Sequence, residues 1–495
     1  MSQQLINKLQ DPQLLTQQAF INGQWVDAKD NTTFDVIDPA TERVLAKVAD
    51  LGAAQTAQAI DSAYAAMCEW RSKTPKHRSE VLEKWFALIV ANTEDLAIIM
   101  SAENGKTLTE SRGEVAYSAS FLKWFAEEGK RVYGDIVPTA QTDRRGIVVK
   151  QPIGVVAAIT PWNFPSAMIT RKVAPALAVG CAVVLKPAAE TPLSALALAE
   201  LASRAGLPAG LLNIVTGEDA VAIGAELTSN LIVKKLTFTG STPVGKILMA
   251  QCAATVKRTS MELGGNAPII IFDDADLDLV MPGIINAKFR NSGQTCISAN
   301  RLIVQEGIYA EFVKRLKAAT ENFSFGAFTE NTSTHGPLIT AKAVTGIDQK
   351  VKEAVAQGAN VVCGGEITKG AGYFYPPTIL TNLNDSMTIF KDEIFGPVAA
   401  IYKFSTQAQA VKMANDTQFG LAAYFYTESM RRSWSVSEAL EYGMVGVNET
   451  AISAEMVPFG GVKESGQGRE GSKYGLDDYL EIKYICMGAL NEKSA

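Results

Sequence analysis

IGVVAAITPWNFPSAMITRKVAPALAVGCAVVLKP, residues 153–187, opens on an apolar run, turns through two prolines into a helical segment, and closes on a second apolar run. The alternation continues through PLSALALAELASRAG (192–206), LLNIVTG (211–217), AVAIGAELTSN (220–230), KKLTFTG (234–240), PVGKILMAQCA (243–253) and RTSMELG (258–264). That makes five strands with four helices between them. Near-continuous apolar strands joined by helical crossovers predict a parallel sheet covered on both faces. In this doubly wound α/β architecture, ligands sit at the carboxyl ends of the strands.

After APIIIF (267–272) a second α/β series begins, with RLIVQ, YAEFVKRLKAATENF, AVTGIDQKVKEAVAQG, PVAAIYKF and AQAVKMAN, which predicts a separate domain. Before the first unit, Asn22-Gly23 marks a hairpin. From about residue 53 to 132 the pattern is helical. Ile60, Tyr64, Met67 and Trp70 share one predicted face, and Leu82, Trp85, Phe86 and Ile89 another. RRGIVVKQP (144–152) and LEIKYICMG (480–488) alternate like strands but are too short to have a core of their own. They should pair with another element or another subunit.

Composition bounds the function. The 495 residues are 47% hydrophobic and carry 46 basic against 52 acidic side chains, a net charge of −6, which speaks against a nucleic-acid surface or polybasic anchor. The longest apolar run, Val173 to Leu185, has 13 residues including Pro175; spanning a bilayer takes about 18–20. Neither a secretory nor a transit segment is visible at the start, so a cytoplasmic, membrane-free protein is expected. The two histidines, His77 and His335, lie far apart, which disfavours a His-rich metal site or a hydrolase with a His base. Six scattered cysteines without a C-x-x-C pair disfavour a zinc knuckle or disulfide framework, so no metal is expected.

Four sites draw attention on chemical grounds. Cys296 lies in the small polar loop SGQTCISAN, where backbone N–H groups can stabilise a thiolate; taken alone, it reads first as a buried or idle thiol. Glu262 ends the last strand of the wound sheet beside Gly264-Gly265, as a general base or a strand-end ion-pair partner. Asn163, between Pro161 and Pro165, can donate its amide to an oxyanion or simply form the turn. FTGSTPVG runs from a strand through Gly240 to candidate N-caps Ser241 and Thr242, then Pro243 at the first helical position, a terminus suited to a pyrophosphate.

TPWNFP, LKP, FTGS, MELGG, GQTC, EIFGP and PFGGVKESGQGRE, in this order over some 310 residues, resemble the NAD(P)-dependent aldehyde dehydrogenases from end to end. ITRKVAPALAVGC, FRNSGQTC, GMVGVNE and GREGSKYG are similar to the succinate-semialdehyde dehydrogenase branch. The resemblance implies a Rossmann-like cofactor domain (1–132 and 151–263), a catalytic domain (264–470) and a small β oligomerisation arm (133–150 and 471–495) that joins a neighbour's sheet in a dimer or tetramer.

It also implies a mechanism: Cys296 attacks the aldehyde, the Asn163 amide and the Cys296 N–H hold the oxyanion, hydride leaves to the nicotinamide, and Glu262 activates the water that cleaves the thioester. Cys296, Glu262, Asn163 and Lys186 are the expected catalytic set. The expected cofactor contacts are Pro161, Trp162, Lys186, Ala189, Gly240, Ser241, Glu262, Leu263, Glu393 and Phe395, with Lys186 and Glu393 on the riboses. Glu470 matches a position sometimes placed in a proton relay. Many NAD-using relatives read LKPAE where this chain has Ala189, so NADP is expected to be accepted and preferred over NAD, unless Glu190 takes over the excluding role. Arg171, Arg290, Ser453 and Phe459 are the expected contacts for an aldehyde with an ω-carboxylate, succinate semialdehyde. Ser298, two residues past Cys296, excludes the local disulfide some relatives form. The rival readings are a glutarate-semialdehyde or other short-chain enzyme of the same family, a CoA-acylating relative, an inactive binding protein of this fold, and a cofactor-free thiol hydrolase.

Overall fold

In the computed structural model, which describes residues 2–330 and 333–490, all five strands of the 153–264 unit form where expected. They are Val155–Ile159, Ala182–Lys186, Leu212–Ile214, Val233–Thr239 and Arg258–Glu262, joined by helices Ala167–Val179, Pro192–Arg204, Ala220–Ser229 and Thr242–Ala253. All pair in parallel. The fourth strand lies beside the first, so the winding reverses between them and opens a crevice at their carboxyl ends. Helices cover both faces, and for that reason Val155, Val156, Ala157 and Ala158 are all buried and show no alternation.

The sheet is extended at both edges. The Asn22-Gly23 hairpin joins Ala19–Ile21 to Gln24–Val26 and packs antiparallel beside Leu212–Ile214. Its turn needs left-handed backbone at both central residues, at φ 53° and 74°. At the opposite edge Gly466–Gln467 pairs with Met261 and Glu262, a two-residue strand with no apolar signal of its own.

The helices Ala53–Trp70 and Pro75–Ala91 bury Ile60, Met67, Trp70, Leu82, Trp85 and Ile89. Tyr64 departs from expectation: it is 52% exposed, because it lies at the flank of its helical face and Ala63 fills the core position.

The second series forms a seven-stranded sheet. Ala299–Gln305 is central; Ala267–Ile271 lies beside it, followed by Ala422–Tyr426 and Met444–Val447, and Val398–Phe404 lies on its other side. A third, antiparallel sheet joins Asp135–Val137, Arg145–Pro152 and Leu480–Met487, the partner the last two segments required. Among the described residues no single helix is long and apolar enough to cross a membrane, and no group of three or more His, Cys, Asp or Glu stands where it could hold a metal ion.

Candidate active site

Three chain segments meet at the crevice. Asn163 sits on the turn after Val155–Ile159, Glu262 is the last residue of its strand, and Cys296 follows helix Leu277–Phe289 and the short turn Arg290–Gly293. Cys296 lies where two cavities touch. One, of about 270 Å³, is lined by Trp162, Thr239, Ser241, Glu262, Leu263 and Glu393 among others. The other, of about 320 Å³, is lined by Tyr117, Arg171, Arg290, Thr295, Ser453 and Phe459 among others. Cys296, Phe164 and Met168 belong to both.

The loop presenting the thiol is held in an uncommon conformation. Asn291, Ser292 and Gly293 are left-handed in succession, at φ 50°, 54° and 76°, which for the two non-glycine residues costs energy that surrounding contacts must offset. The contacts are present. Glu110 accepts from the Asn291 N–H at 2.6 Å, the Ser292 hydroxyl donates to the Gly336 carbonyl at 2.7 Å, and Gln294 Oε1 accepts from the Ile339 N–H at 2.9 Å. Gly265 lets the chain after Glu262 pass close by, since a Cβ there would lie 2.4 Å from the Cys296 carbonyl oxygen.

Asn163 is clamped through its backbone. Its carbonyl accepts from Lys106 Nζ at 2.7 Å and from Asn291 Nδ2 at 3.0 Å, and its own amide donates to the Gln294 carbonyl at 3.0 Å. Lys106 in turn pairs with Glu114, whose other oxygen accepts the Ser166 and Ala167 N–H groups at the start of helix Ala167–Val179. One buried ion pair thus ties the amide to the helix that carries Arg171.

The electrostatics correct one expectation. Burial pushes the Cys296 thiol up to about 12, and neighbouring Glu393 adds to this, against the opposing pull of Arg171. The loop does not stabilise a resting thiolate, so attack requires a proton acceptor. Glu262 is suited to that: burial and then the charge of Glu470 raise its carboxyl well above the ordinary range, and its Oε2 has no hydrogen-bond partner. Glu470 is buried and pairs with Lys172 and, at 2.7 Å, with Arg171 Nε.

The 270 Å³ cavity suits the nicotinamide end of a dinucleotide. Its walls include the rings of Trp162 and Phe395, which meet edge to face at 5.6 Å, with Pro161 and Leu263. The buried hydroxyl of Thr239 is without a partner there. Helix Thr242–Ala253 opens onto it with Ser241 as an N-cap that makes no side-chain cap bond, leaving N–H groups for an anion. The helix begins at Thr242, one residue before the Pro243 start expected from the sequence, and the Thr242 hydroxyl accepts from the Gly264 N–H at 3.2 Å. Glu393 also accepts from the Gly265 N–H at 3.0 Å; burial pushes its carboxyl to about 7.

Lys186 and Ala189 line neither cavity. Lys186 is buried at its strand end, donating to the Pro187 carbonyl at 3.2 Å; burial lowers its pKa and the charge of Glu190 counters this. Glu190 itself is exposed.

In the second cavity Arg171 is buried, stacked on Phe459 at 4.1 Å, with its Nη2 unpartnered. Arg290 is solvent-exposed, 5.3 Å from the Phe164 ring. The hydroxyl of Ser453 lies 2.5 Å from that of Tyr117. Two unmatched guanidinium or hydroxyl donors, Arg171 Nη2 and Thr295 Oγ1, are what a bound anion would satisfy.

Lys106, Glu114, Tyr117 and Gln294 were not singled out from the sequence. Lys106 follows a helix C-cap glycine and reads as an exposed loop lysine, and Tyr117 falls on an apolar helical stripe and reads as core. The capping box of Thr107 and Glu110 is the one local signal pointing at this segment.

Residues 25–485 match the aldehyde dehydrogenase family. The chain is 55% identical over 483 residues to a glutarate-semialdehyde dehydrogenase of Pseudomonas aeruginosa, covering 98% of this chain and 100% of the relative. It is 54% identical over 481 residues to a succinate-semialdehyde dehydrogenase (NADP+) of Escherichia coli, covering 97% and 100%. A crystal structure of succinate-semialdehyde dehydrogenase from Burkholderia pseudomallei superposes with a TM-score of 0.96 at 54% identity, covering 97% and 99%.

Proposed function

The chain belongs to the aldehyde dehydrogenase family, and from that premise we propose that it oxidises succinate semialdehyde to succinate with NADP+ or NAD+. The observation that carries this reading is the position of Cys296 at the junction of an apolar-walled cleft and an arginine-bearing cavity. A substrate entering the second cavity with its carboxylate toward Arg171 brings its aldehyde to the thiol.

Glu262, in its unprotonated form, accepts the Cys296 proton as Sγ adds to the carbonyl carbon. Asn163, fixed by Lys106, turns its amide from the Gln294 carbonyl to the new oxyanion together with the Cys296 N–H. NAD(P)+, when bound, supplies the hydride acceptor that allows the thiohemiacetal on Cys296 to become a thioester. After passing that first proton to solvent, Glu262 deprotonates a water that attacks the thioester, releasing the acid and returning the water's proton to sulfur. Trp162, Phe395, Leu263, Gly240 and Ser241 would hold the cofactor in the cleft, with Glu393, Lys186 and Ala189 along its path.

Two features support NADP over NAD: Ala189 places no carboxylate at the position that would repel a 2′-phosphate, and the E. coli relative is named for NADP+. The division into cofactor unit, catalytic unit and arm belongs to the same reading, as does a cytoplasmic homo-oligomer. All six cysteines are free thiols, which suits a reducing compartment. Ile136 and Ile482 on the three-stranded sheet are 79% and 72% exposed, an apolar surface that another copy would cover.

The second reading, glutarate semialdehyde, is favoured by the P. aeruginosa relative. Comparing kcat/KM for the four- and five-carbon substrates with each cofactor decides; one methylene in a pocket is worth about 1–3 kcal/mol. A higher kcat/KM with the five-carbon substrate overturns the primary assignment.

A further inference from the structure

The second cavity holds a hydroxyl pair that the sequence motifs do not join. Tyr117 is on the long helix Leu108–Glu128 and Ser453 in an irregular segment, 336 residues apart, yet their oxygens are 2.5 Å apart and both side chains line the cavity. The Tyr117 ring is set edge-on against Phe121 at 4.9 Å. Phe121 and Phe459 both lie against the guanidinium of Arg171, at 5.3 and 4.1 Å. The hydroxyl pair and the buried cation therefore belong to one packed unit, in which Arg171 Nη2 and Thr295 Oγ1 have no partner.

Proton counting gives the pair a function. Two hydroxyls carry two O–H donors, and the bond between them uses one. Whichever oxygen accepts that bond keeps its own proton for an outside acceptor, in a cavity whose other polar groups include two arginines. Each oxygen also keeps a free lone pair, so it is the two arginines lining the same cavity that bias the site toward an anion.

We infer that Tyr117 and Ser453 act as one two-hydroxyl anchor that delivers a hydrogen bond to the ω-carboxylate of the substrate, making Tyr117 a specificity-determining residue. The inference rests on the proposed ω-carboxylate substrate and deepens it. Ser453 without Tyr117 retains a donor but loses the partner that aims it, so the two residues are energetically coupled.

The experiment compares succinate semialdehyde with butanal, which has the same chain length and no charge, in the wild type, Tyr117→Phe, Ser453→Ala and the double variant. Tyr117→Phe keeps the ring that packs on Phe121, so folding is preserved. The quantity read is the ratio of kcat/KM for the acid semialdehyde to that for butanal. In Tyr117→Phe this ratio falls roughly tenfold, mainly through KM for the semialdehyde, the scale of one hydrogen bond to a charged group. The double variant falls less than the product of the two single effects. A ratio in Tyr117→Phe equal to the wild-type value overturns the inference, whether or not both activities decline, and so do independent, multiplicative effects. A wild-type enzyme that shows no preference for the semialdehyde overturns instead the substrate assignment on which the anchor depends.

Discussion

Cys296 Sγ meets opposed requirements: it must be shielded enough to exclude competing water chemistry and ionised enough to attack. Burial wins in the resting protein, pushing the thiol to about 12, and the deficit is met by Glu262, itself raised by burial and by Glu470. Glu262 must be unprotonated to accept the Cys296 proton, so kcat/KM should rise as pH increases through its raised pKa, losing activity on the acid side. A flat profile would contradict this pairing. Glu262→Gln removes the acceptor for both the thiol proton and the water proton; it should slow the first turnover and release at most one equivalent of NAD(P)H per site, which a stopped-flow trace at 340 nm reads directly. Arg290, being exposed, should contribute less than Arg171: Arg290→Gln is expected to raise KM about tenfold, roughly 1.4 kcal/mol, with kcat near wild type, and equal losses in both parameters would place it elsewhere in the mechanism. Arg171→Met is expected to cost more, because it also leaves Glu470 with Lys172 alone.

At the scale of the element, the site is assembled from helix and strand ends whose unpaired backbone groups need partners. Glu114 takes the first N–H groups of the helix bearing Arg171, and Glu103 does the same for Pro192–Arg204, accepting from Leu193 and Ser194 at 2.7 and 2.8 Å. Burial pushes the Glu103 carboxyl up to about 8, the hydrogen bonds from that helix end opposing it. Its folded-state pKa is thus above the ordinary 4.5, and the proton is held more tightly in the fold. The stability this contributes is fully present below pH 4.5 and is lost progressively as pH rises to about 8. Glu103→Gln should flatten that part of the urea-denaturation profile between pH 5 and 8, and an unchanged slope would show that Glu103 is not the titrating group. The wound sheet was legible because strands buried on both faces leave unbroken apolar runs, whereas Gly466–Gln467 carries no such run. Cys296, Glu262 and Asn163 were legible because glycines and prolines mark the turns that present them. Tyr117 and Lys106 were not, since their partners lie 336 and 57 residues away and only the fold brings them together.

At the scale of the whole molecule, two sheets share one crevice, and a third stands apart with Ile136, Ile482 and Tyr484 facing solvent in the single chain. Cutting the chain after Lys473 would not isolate the arm's role, because Leu476, Tyr479 and Leu480 are buried in the main core. If the proposed oligomer forms through this sheet, Ile136→Asp with Ile482→Asp, which leaves the core intact, reduces the sedimentation coefficient relative to wild type; an unchanged coefficient would contradict that role for the sheet. The most direct test of the chemistry is intact-protein and peptide mass spectrometry of the wild-type enzyme, rapidly quenched during turnover with succinate semialdehyde and NADP+. A succinyl group on Cys296 is the predicted result, and NADPH formation with no acyl group on that sulfur, or with one on a different side chain, would contradict it.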